Sequence, residues 1–330
     1  MRAWQVRSHG SPEDVLDLTV DVPVPTPTEG QVAVEVRSCA LNFADSLLCR
    51  GTYQERPPLP FVPGLEVVGT VTATGPGVGS VARGDRVVGL TALPHGGLAE
   101  VALTHAAATF ALPPGIDDAR GAAMLVTYQT AWVGLHRRAR LRPTDLVLVH
   151  GAAGGTGSAF VQVAVAAGAR VIATAGGAAK VARALELGAS VGIDNRTTDV
   201  VDAVNDATGG RGADVIVDTV GGDLFDASTR CVAWEGRILV VGFAGGRIAD
   251  ARTNHLMVKN YSVVGLHWPR YRVEDPAVLA DAHDNLVRAV HDGTLTLPEP
   301  EVLGLEEARD GLVRLAGGST VGKLVVRVAG

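Results

Sequence analysis

From residue 146 onward the apolar positions fall in short, nearly unbroken runs. They lie at 146–149, 170–174, 190–193, 214–218, 237–242 and 262–266, with helix-length stretches between most of them. Strands buried on both faces of a parallel sheet read this way. Their alternation with helices predicts a six-stranded, doubly wound α/β sheet. Before residue 120 the texture is different. Apolar stretches at 1–6, 16–20, 31–37, 67–74, 85–89 and 99–103 are separated by turn-forming clusters, which predicts an irregular β-barrel. The proline-studded segment 22–28 cannot be a central strand and reads as an extended connector. A helical pattern over 117–140 carries the chain between the two regions. Beyond 266 the pattern predicts a helix over Pro276–His291, another over 305–315 and a closing strand at 323–328, a segment able to return to the first domain.

The turn after the first parallel strand carries the clearest chemistry. Gly151, Gly154 and Gly157 are spaced GxxGxxG between an apolar strand and a helix expected over 158–167. Such glycines make the turn, let backbone approach a pyrophosphate and let the helix pack closely on its strand. The helix amino terminus adds unpaired N–H groups and positive dipole for phosphates. A site for NAD places Asp or Glu about 20 residues past the first glycine. Here 174–180 reads Thr-Ala-Gly-Gly-Ala-Ala-Lys, with no carboxylate and with Lys180 opening the next helix, which predicts NADPH.

Composition narrows the function. The 330 residues carry a net charge of −6, so no basic footprint points to nucleic acid or an anionic membrane. No signal-peptide pattern opens the chain and no apolar run approaches a membrane span, so a cytoplasmic protein is expected. Cys39, Cys49 and Cys231 make no disulfide framework, in keeping with a reducing compartment. The histidines form no cluster with metal-ligand spacing. His150 reads as a packed spacer.

Several segments are then recognisable: 40–53 (ALNFADSLLCRGTY), 59–71 (LPFVPGLEVVGTV), GDRVVG at 84–89, VHGAAGGTG at 149–157, DTVGG at 218–222, 236–246 (GRILVVGFAGG) and 259–268 (KNYSVVGLHW). With these the chain resembles the zinc-independent quinone oxidoreductase branch of the medium-chain dehydrogenase/reductase superfamily. The resemblance implies a GroES-like catalytic domain over 1–122 and 267–330, a Rossmann domain over 123–266, and the cofactor in the cleft between them. In the zinc alcohol dehydrogenases a cysteine stands at the position of Asn42 and a His-Glu pair at Leu65-Glu66. Leucine cannot ligate a metal and no structural-zinc cysteines are present, so no metal is expected.

The resemblance also implies site residues. Asn42, Asp45, Tyr53 and Thr127 are the catalytic candidates, Asn42 beside the nicotinamide end and Tyr53 a proton donor in related enoyl reductases. Cofactor contacts are expected from Gly151, Ala153, Gly154, Gly155, Thr156 and Gly157 in the glycine turn. Further contacts are expected from Thr174, Gly176 and Lys180, from Asn195, from Val220 and Gly221, from Gly242 and Phe243, and from Leu266. Lys323 is an additional candidate, although a solvated surface lysine is the simpler reading of it. The expected activity is NADPH-dependent reduction of quinones. The alternatives are reduction of activated C=C bonds in enals, enones or enoyl thioesters, and a non-catalytic NADPH-sensing or RNA-binding role. The apolar strand at 262–266 would leave an unpaired edge, which predicts a homodimer pairing those edges.

Overall fold

Alternating burial shapes the first strands, and continuous burial the later ones. The computed structural model describes residues 1–328. β1 (Ala3–Val6) and β2 (Leu16–Thr19) form an antiparallel pair. β3 (Gln31–Ala40), β4 (Glu66–Thr74), β5 (Arg86–Thr91) and β6 (Val101–Ala111) are joined antiparallel in that order, and β6 also pairs with β3. Four strands thereby close on themselves. In β3, Val34 and Val36 are fully buried while Glu35 and Arg37 face solvent, the period of two expected of a half-buried strand. β6 runs well past the stretch its sequence predicts, because its first half serves β3 and its far end β5.

The parallel sheet consists of β7 (Leu146–His150), β8 (Arg170–Ala175), β9 (Val191–Asp194), β10 (Ala213–Asp218), β11 (Val232–Val240) and β12 (Ser262–Gly265). Their order, β12-β11-β10-β7-β8-β9, is that of the doubly wound fold the sequence predicts. Every residue of β7 is buried. Leu148, Ile172, Ile216 and Ile238, from four strands, pack with Val204 and Phe225 in one apolar cluster. Burying each such side chain contributes roughly 1.5–3 kcal/mol. β11 begins earlier than its apolar run suggests, since the helix Gly222–Cys231 passes into it without a loop.

The predicted helix over 117–140 is two structures. An α-helix covers Asp118–Trp132, and a π-helical turn covers Val133–Arg138, closed by the Ala139 N–H to the Gly134 carbonyl at 2.8 Å. Gly134 lies so close to Phe160 that an added Cβ would come within 2.9 Å of its ring. After the helix Pro276–His291, β13 (Glu301–Gly304) pairs parallel with β14 (Leu324–Arg327). β14 lies antiparallel to β3, with Val325 opposite Ala40, so the last strand extends the first sheet. One unit comprises 1–126, 272–287 and 297 onward; the other comprises 127–271 and 288–296.

Candidate active site

In the first unit, the short helix Phe43–Cys49 follows β3 directly, an element its sequence pattern does not announce. Asp45 sits in its first turn, fully buried. Its Oδ2 accepts the Asn42 N–H at 2.8 Å and its Oδ1 the Gly64 N–H at 2.9 Å. Both oxygens therefore hold backbone, and Asp45, expected as a catalytic candidate, is a tie between two loops. Burial is the main reason its carboxyl is pushed up to about 7, against the two N–H groups that favour its charged form.

Asn42 is similarly occupied. Its Nδ2 donates to Glu66 Oε1 at 2.9 Å and to the Ala40 carbonyl at 3.3 Å, and its Oδ1 accepts from Lys323 Nζ at 2.6 Å. Both amide hydrogens are spent inside the protein, so they cannot orient substrate or cofactor as the resemblance implies. Lys323 Nζ also lies 2.7 Å from Glu66 Oε1, with side-chain exposures of 9% and 0%. The surface-lysine reading of Lys323 is thus overturned: β14 is antiparallel to β3, and the residue preceding β14 lands on the residues that follow β3. Glu66, noted in the sequence only beside Leu65 and not as a site residue, is the centre of this cluster; its Oε2 accepts the Val126 N–H at 2.7 Å. Its position in β4, amid apolar residues that are otherwise buried, was the available signal.

Tyr53 is half-buried in the loop that follows. Burial, then the charge of Glu55, pushes its phenol up to about 12, opposed by Arg272, which pairs with Glu55 at 3.0 Å. The phenol keeps its proton at neutral pH and is a donor. Thr127, the first residue of the second unit, is buried in the helix Asp118–Trp132.

In that second unit the carboxyl ends of β7, β8, β10 and β11 converge. Gly151 turns with φ of +64°, Gly154 precedes the helix Gly155–Ala166, and Gly157 lies in its first turn. The helix starts earlier than expected, so Gly157 is a packing glycine: an added Cβ would sit 2.1 Å from the Gly151 carbonyl oxygen. At Gly154 the nearest atom to such a Cβ is 3.4 Å away, leaving its outer side open. Ala153, Gly155 and Thr156 complete the turn. The Thr219 hydroxyl donates to the His150 carbonyl at 2.9 Å, tying the β10 loop to this turn. Asp218 Oδ1 accepts the N–H groups of Val220 and Gly221 at 2.9 and 2.8 Å. The Gly245 N–H reaches the Val220 carbonyl at 2.9 Å, which fixes the loop holding Gly242 and Phe243. The Leu266 N–H bonds the Val240 carbonyl at 3.0 Å at the end of β12.

Thr174, expected to touch the cofactor, does something else. It is fully buried, and its hydroxyl lies 2.8 Å from His150 Nδ1; His150 Nε2 lies 2.9 Å from the Ser228 hydroxyl. Ser228 donates to the Leu224 carbonyl at 2.7 Å, so the histidine must donate from Nε2 and accept at Nδ1. Burial lowers its pKa to about 4, which keeps it neutral. His150 is a packed spacer, as its position suggests.

At the tip of β8, Gly176 and Gly177 leave a bare backbone. The Arg196 side chain lies over it: a Cβ on Gly176 would meet Arg196 Nε at 2.9 Å. Asp194 Oδ1 accepts the N–H groups of Gly177 and Arg196 at 2.9 and 3.0 Å, so this acid is committed to backbone. Asn195 beside it has its Oδ1 buried without a hydrogen-bond partner. Arg196 carried no motif; only the approach of β9 to β8 reveals it.

These donor sets do not suit zinc. Asn42 and Leu65 offer an engaged amide and a hydrocarbon where thiolate and imidazole would be required, and a lysine ammonium occupies the space beside Glu66. Among the described residues no group of three or more His, Cys, Asp or Glu could hold a metal. The glycine turn, by contrast, fits a dinucleotide, with its helix amino terminus free of side chains at Gly154 and Gly155.

Residues 28–114 match the family model described as an alcohol dehydrogenase GroES-like domain, and residues 155–284 match that of a zinc-binding dehydrogenase. Quinone oxidoreductase-like protein 2 of Rattus norvegicus is 39% identical over 94% of this chain and 88% of its own length. The structure of Escherichia coli quinone oxidoreductase complexed with NADPH superposes with a TM-score of 0.91 at 29% identity, covering 99% of this chain and 100% of that one. The CurK enoyl reductase superposes with a TM-score of 0.85 at 26% identity, covering 99% of both chains. By the two family models and by this likeness along nearly its whole length, the chain belongs to the zinc-independent quinone oxidoreductase branch of the medium-chain dehydrogenase/reductase superfamily.

Proposed function

We propose that this chain is an NADPH-dependent reductase of quinones that works without zinc, as a homodimer. The observation that carries the reading is a complete glycine cradle followed, at the tip of β8, by a carboxylate-free loop under Arg196. NADPH, when bound, supplies the hydride. The N–H groups at the start of the helix Gly155–Ala166 hold its pyrophosphate, and the loops at Val220–Gly221, Gly242–Phe243 and Leu266 hold the remainder. Lys180 and Arg196, the latter with its side chain over Gly176, would hold the 2′-phosphate. Asp194, the acid nearest that loop, has its Oδ1 taken by the N–H groups of Gly177 and Arg196. With no Lewis acid to lower an alcohol pKa, the chemistry favours acceptors already prepared for hydride. The chain's work is to orient the acceptor, exclude water and supply donors.

Reduction of activated C=C bonds is the second reading. Tyr53 favours it, since a phenol that keeps its proton at neutral pH is a donor of the kind that delivery of a proton to carbon after hydride addition requires. The likeness to the enoyl reductase is compatible with it. Steady-state NADPH oxidation across quinones, enones and enoyl thioesters decides between them. The expected result is turnover with quinones that Tyr53→Phe leaves within about threefold. Turnover confined to enones or thioesters, and lost in Tyr53→Phe, would establish the second reading instead. For the phosphate pocket, Arg196→Ala and Lys180→Ala each weaken NADPH binding by roughly tenfold to a hundredfold, as expected for a charge-assisted contact of about 1.5–3 kcal/mol. NADH binding stays nearly unchanged. Equal loss for both cofactors would refute the assignment.

The dimer reading rests on the second unit. β12 is the edge strand of the parallel sheet. The same unit exposes Trp234, Ile248, Met257 and Val258, each with 68–76% of its surface accessible. Open strand edges and apolar surface of this kind are ordinarily covered. The acidic net charge weighs against an RNA-binding role.

A further inference from the structure

We infer that the Lys323 ammonium is an internal cation that replaces a metal in this site, and that its one uncommitted N–H binds the acceptor's oxygen. The inference rests on the reductase reading above. Three bonds account for the cluster. Lys323 Nζ reaches Asn42 Oδ1 at 2.6 Å and Glu66 Oε1 at 2.7 Å, and Asn42 Nδ2 reaches the same Glu66 oxygen at 2.9 Å. An ammonium has three hydrogens. Two are spent here, and the third has no partner among the described residues. Asn42 has given both amide hydrogens to Glu66 and Ala40, so Lys323 keeps the only donor of the cluster still able to serve a ligand. Its side chain is nine-tenths buried, where a positive charge is screened little and acts strongly on a nearby oxyanion.

The place of the cation matters as much as its hydrogen. Asn42 stands at the position of a zinc-ligating cysteine in the zinc alcohol dehydrogenases, and Leu65-Glu66 at that of their His-Glu pair. Lys323 bridges Asn42 and Glu66. The chain thus keeps a fixed positive charge beside Glu66 while lacking the donors a metal needs. Glu66 and Asn42 are positioning residues: a carboxylate held also by the Val126 N–H at 2.7 Å, and an amide, together aim the ammonium.

In the reaction, a C–H bond of the dihydronicotinamide breaks and a bond from hydride to the acceptor forms. The dihydronicotinamide is oxidised and the acceptor reduced, its displaced electron pair coming to rest on the acceptor's oxygen. Lys323 donates a hydrogen bond to that oxyanion and keeps its proton. Solvent protonates the product.

Replacing Lys323 alone would strand a buried carboxylate, so the test uses Lys323→Met with Glu66→Gln in the full-length enzyme. The double variant is neutral and keeps an amide oxygen at position 66 to accept the Asn42 Nδ2 hydrogen. The expected result is an unchanged Tm within about 3 °C, NADPH affinity within about twofold, and kcat with 1,4-benzoquinone lower by about 10²-fold, as when an oxyanion donor is removed. Wild-type kcat in the folded double variant would overturn the inference, because Lys323 would then only neutralise Glu66. If the double variant does not fold, the wild type labelled with ¹⁵N-lysine is titrated with p-nitrophenolate, a stable oxyanion. A shift of the Nζ signal that is missing from Lys323→Arg supports the inference, and no shift overturns it. A wild type inactive with every quinone and enone would refute the functional reading instead.

Discussion

Asp45 and His150 show how a titratable residue can be spent on architecture. Each is fully buried with both polar ends bonded, and burial moves each toward its neutral form. They act oppositely on stability. The histidine, with a folded pKa near 4 against an ordinary 6.5, binds fewer protons when folded, so its contribution is present above about pH 6.5 and is lost as pH falls toward 4. The carboxyl, near 7 against an ordinary 3.8, binds more protons when folded, so the folded state loses stability as pH rises from about 4 to 7. Asp45→Asn removes the second pH dependence, and with it one of the two backbone N–H bonds, a loss that is the same at every pH. Between pH 5 and 8 the wild-type Tm should fall relative to the variant by about 2–4 °C. Thermal melts of both proteins at the two pH values check this; parallel curves would mean that Asp45 is already ionised at pH 5.

At the scale of elements, the helix Gly155–Ala166 tests which glycines serve the fold and which the ligand. Gly157→Ala puts a methyl 2.1 Å from a backbone oxygen that cannot move aside. It should cost about 1–3 kcal/mol and lower the Tm. Gly154 has φ of −80° and only the Gly151 oxygen nearby, at 3.4 Å. Gly154→Ala should therefore leave the Tm within about 2 °C while weakening NADPH binding at least about tenfold, because the methyl occupies phosphate space. Calorimetry with fluorescence titration separates the two, and equal losses of stability would contradict the distinction. The strand, turn and helix here were legible because each rests on neighbours in sequence. The short helix Phe43–Cys49 was not, because seven residues are too few to establish a helical period.

At the scale of the molecule, the open edge at β12 and the exposed Trp234 and Met257 should be covered by a second copy. Sedimentation at micromolar concentration should show a species near twice 34.0 kDa. Trp234→Asp with Met257→Asp should give folded monomers, since neither side chain contributes to the core of its own chain. A wild-type monomer would contradict the dimer reading. The parallel sheet, the glycine cradle and the missing acid after β8 were all determined by the sequence itself, because continuous burial, tight turning and the absence of charge are written in consecutive residues. The partnerships belong to the tertiary structure. Lys323 meets Asn42 across 281 positions, Ser228 meets His150 across 78, and Arg196 meets Gly176 only because β9 lies beside β8. A side chain's hydrogen-bond partner depends on which strands become neighbours, and that order is settled by packing of the whole sheet, so only the folded chain shows which polar groups are spent and which remain for chemistry.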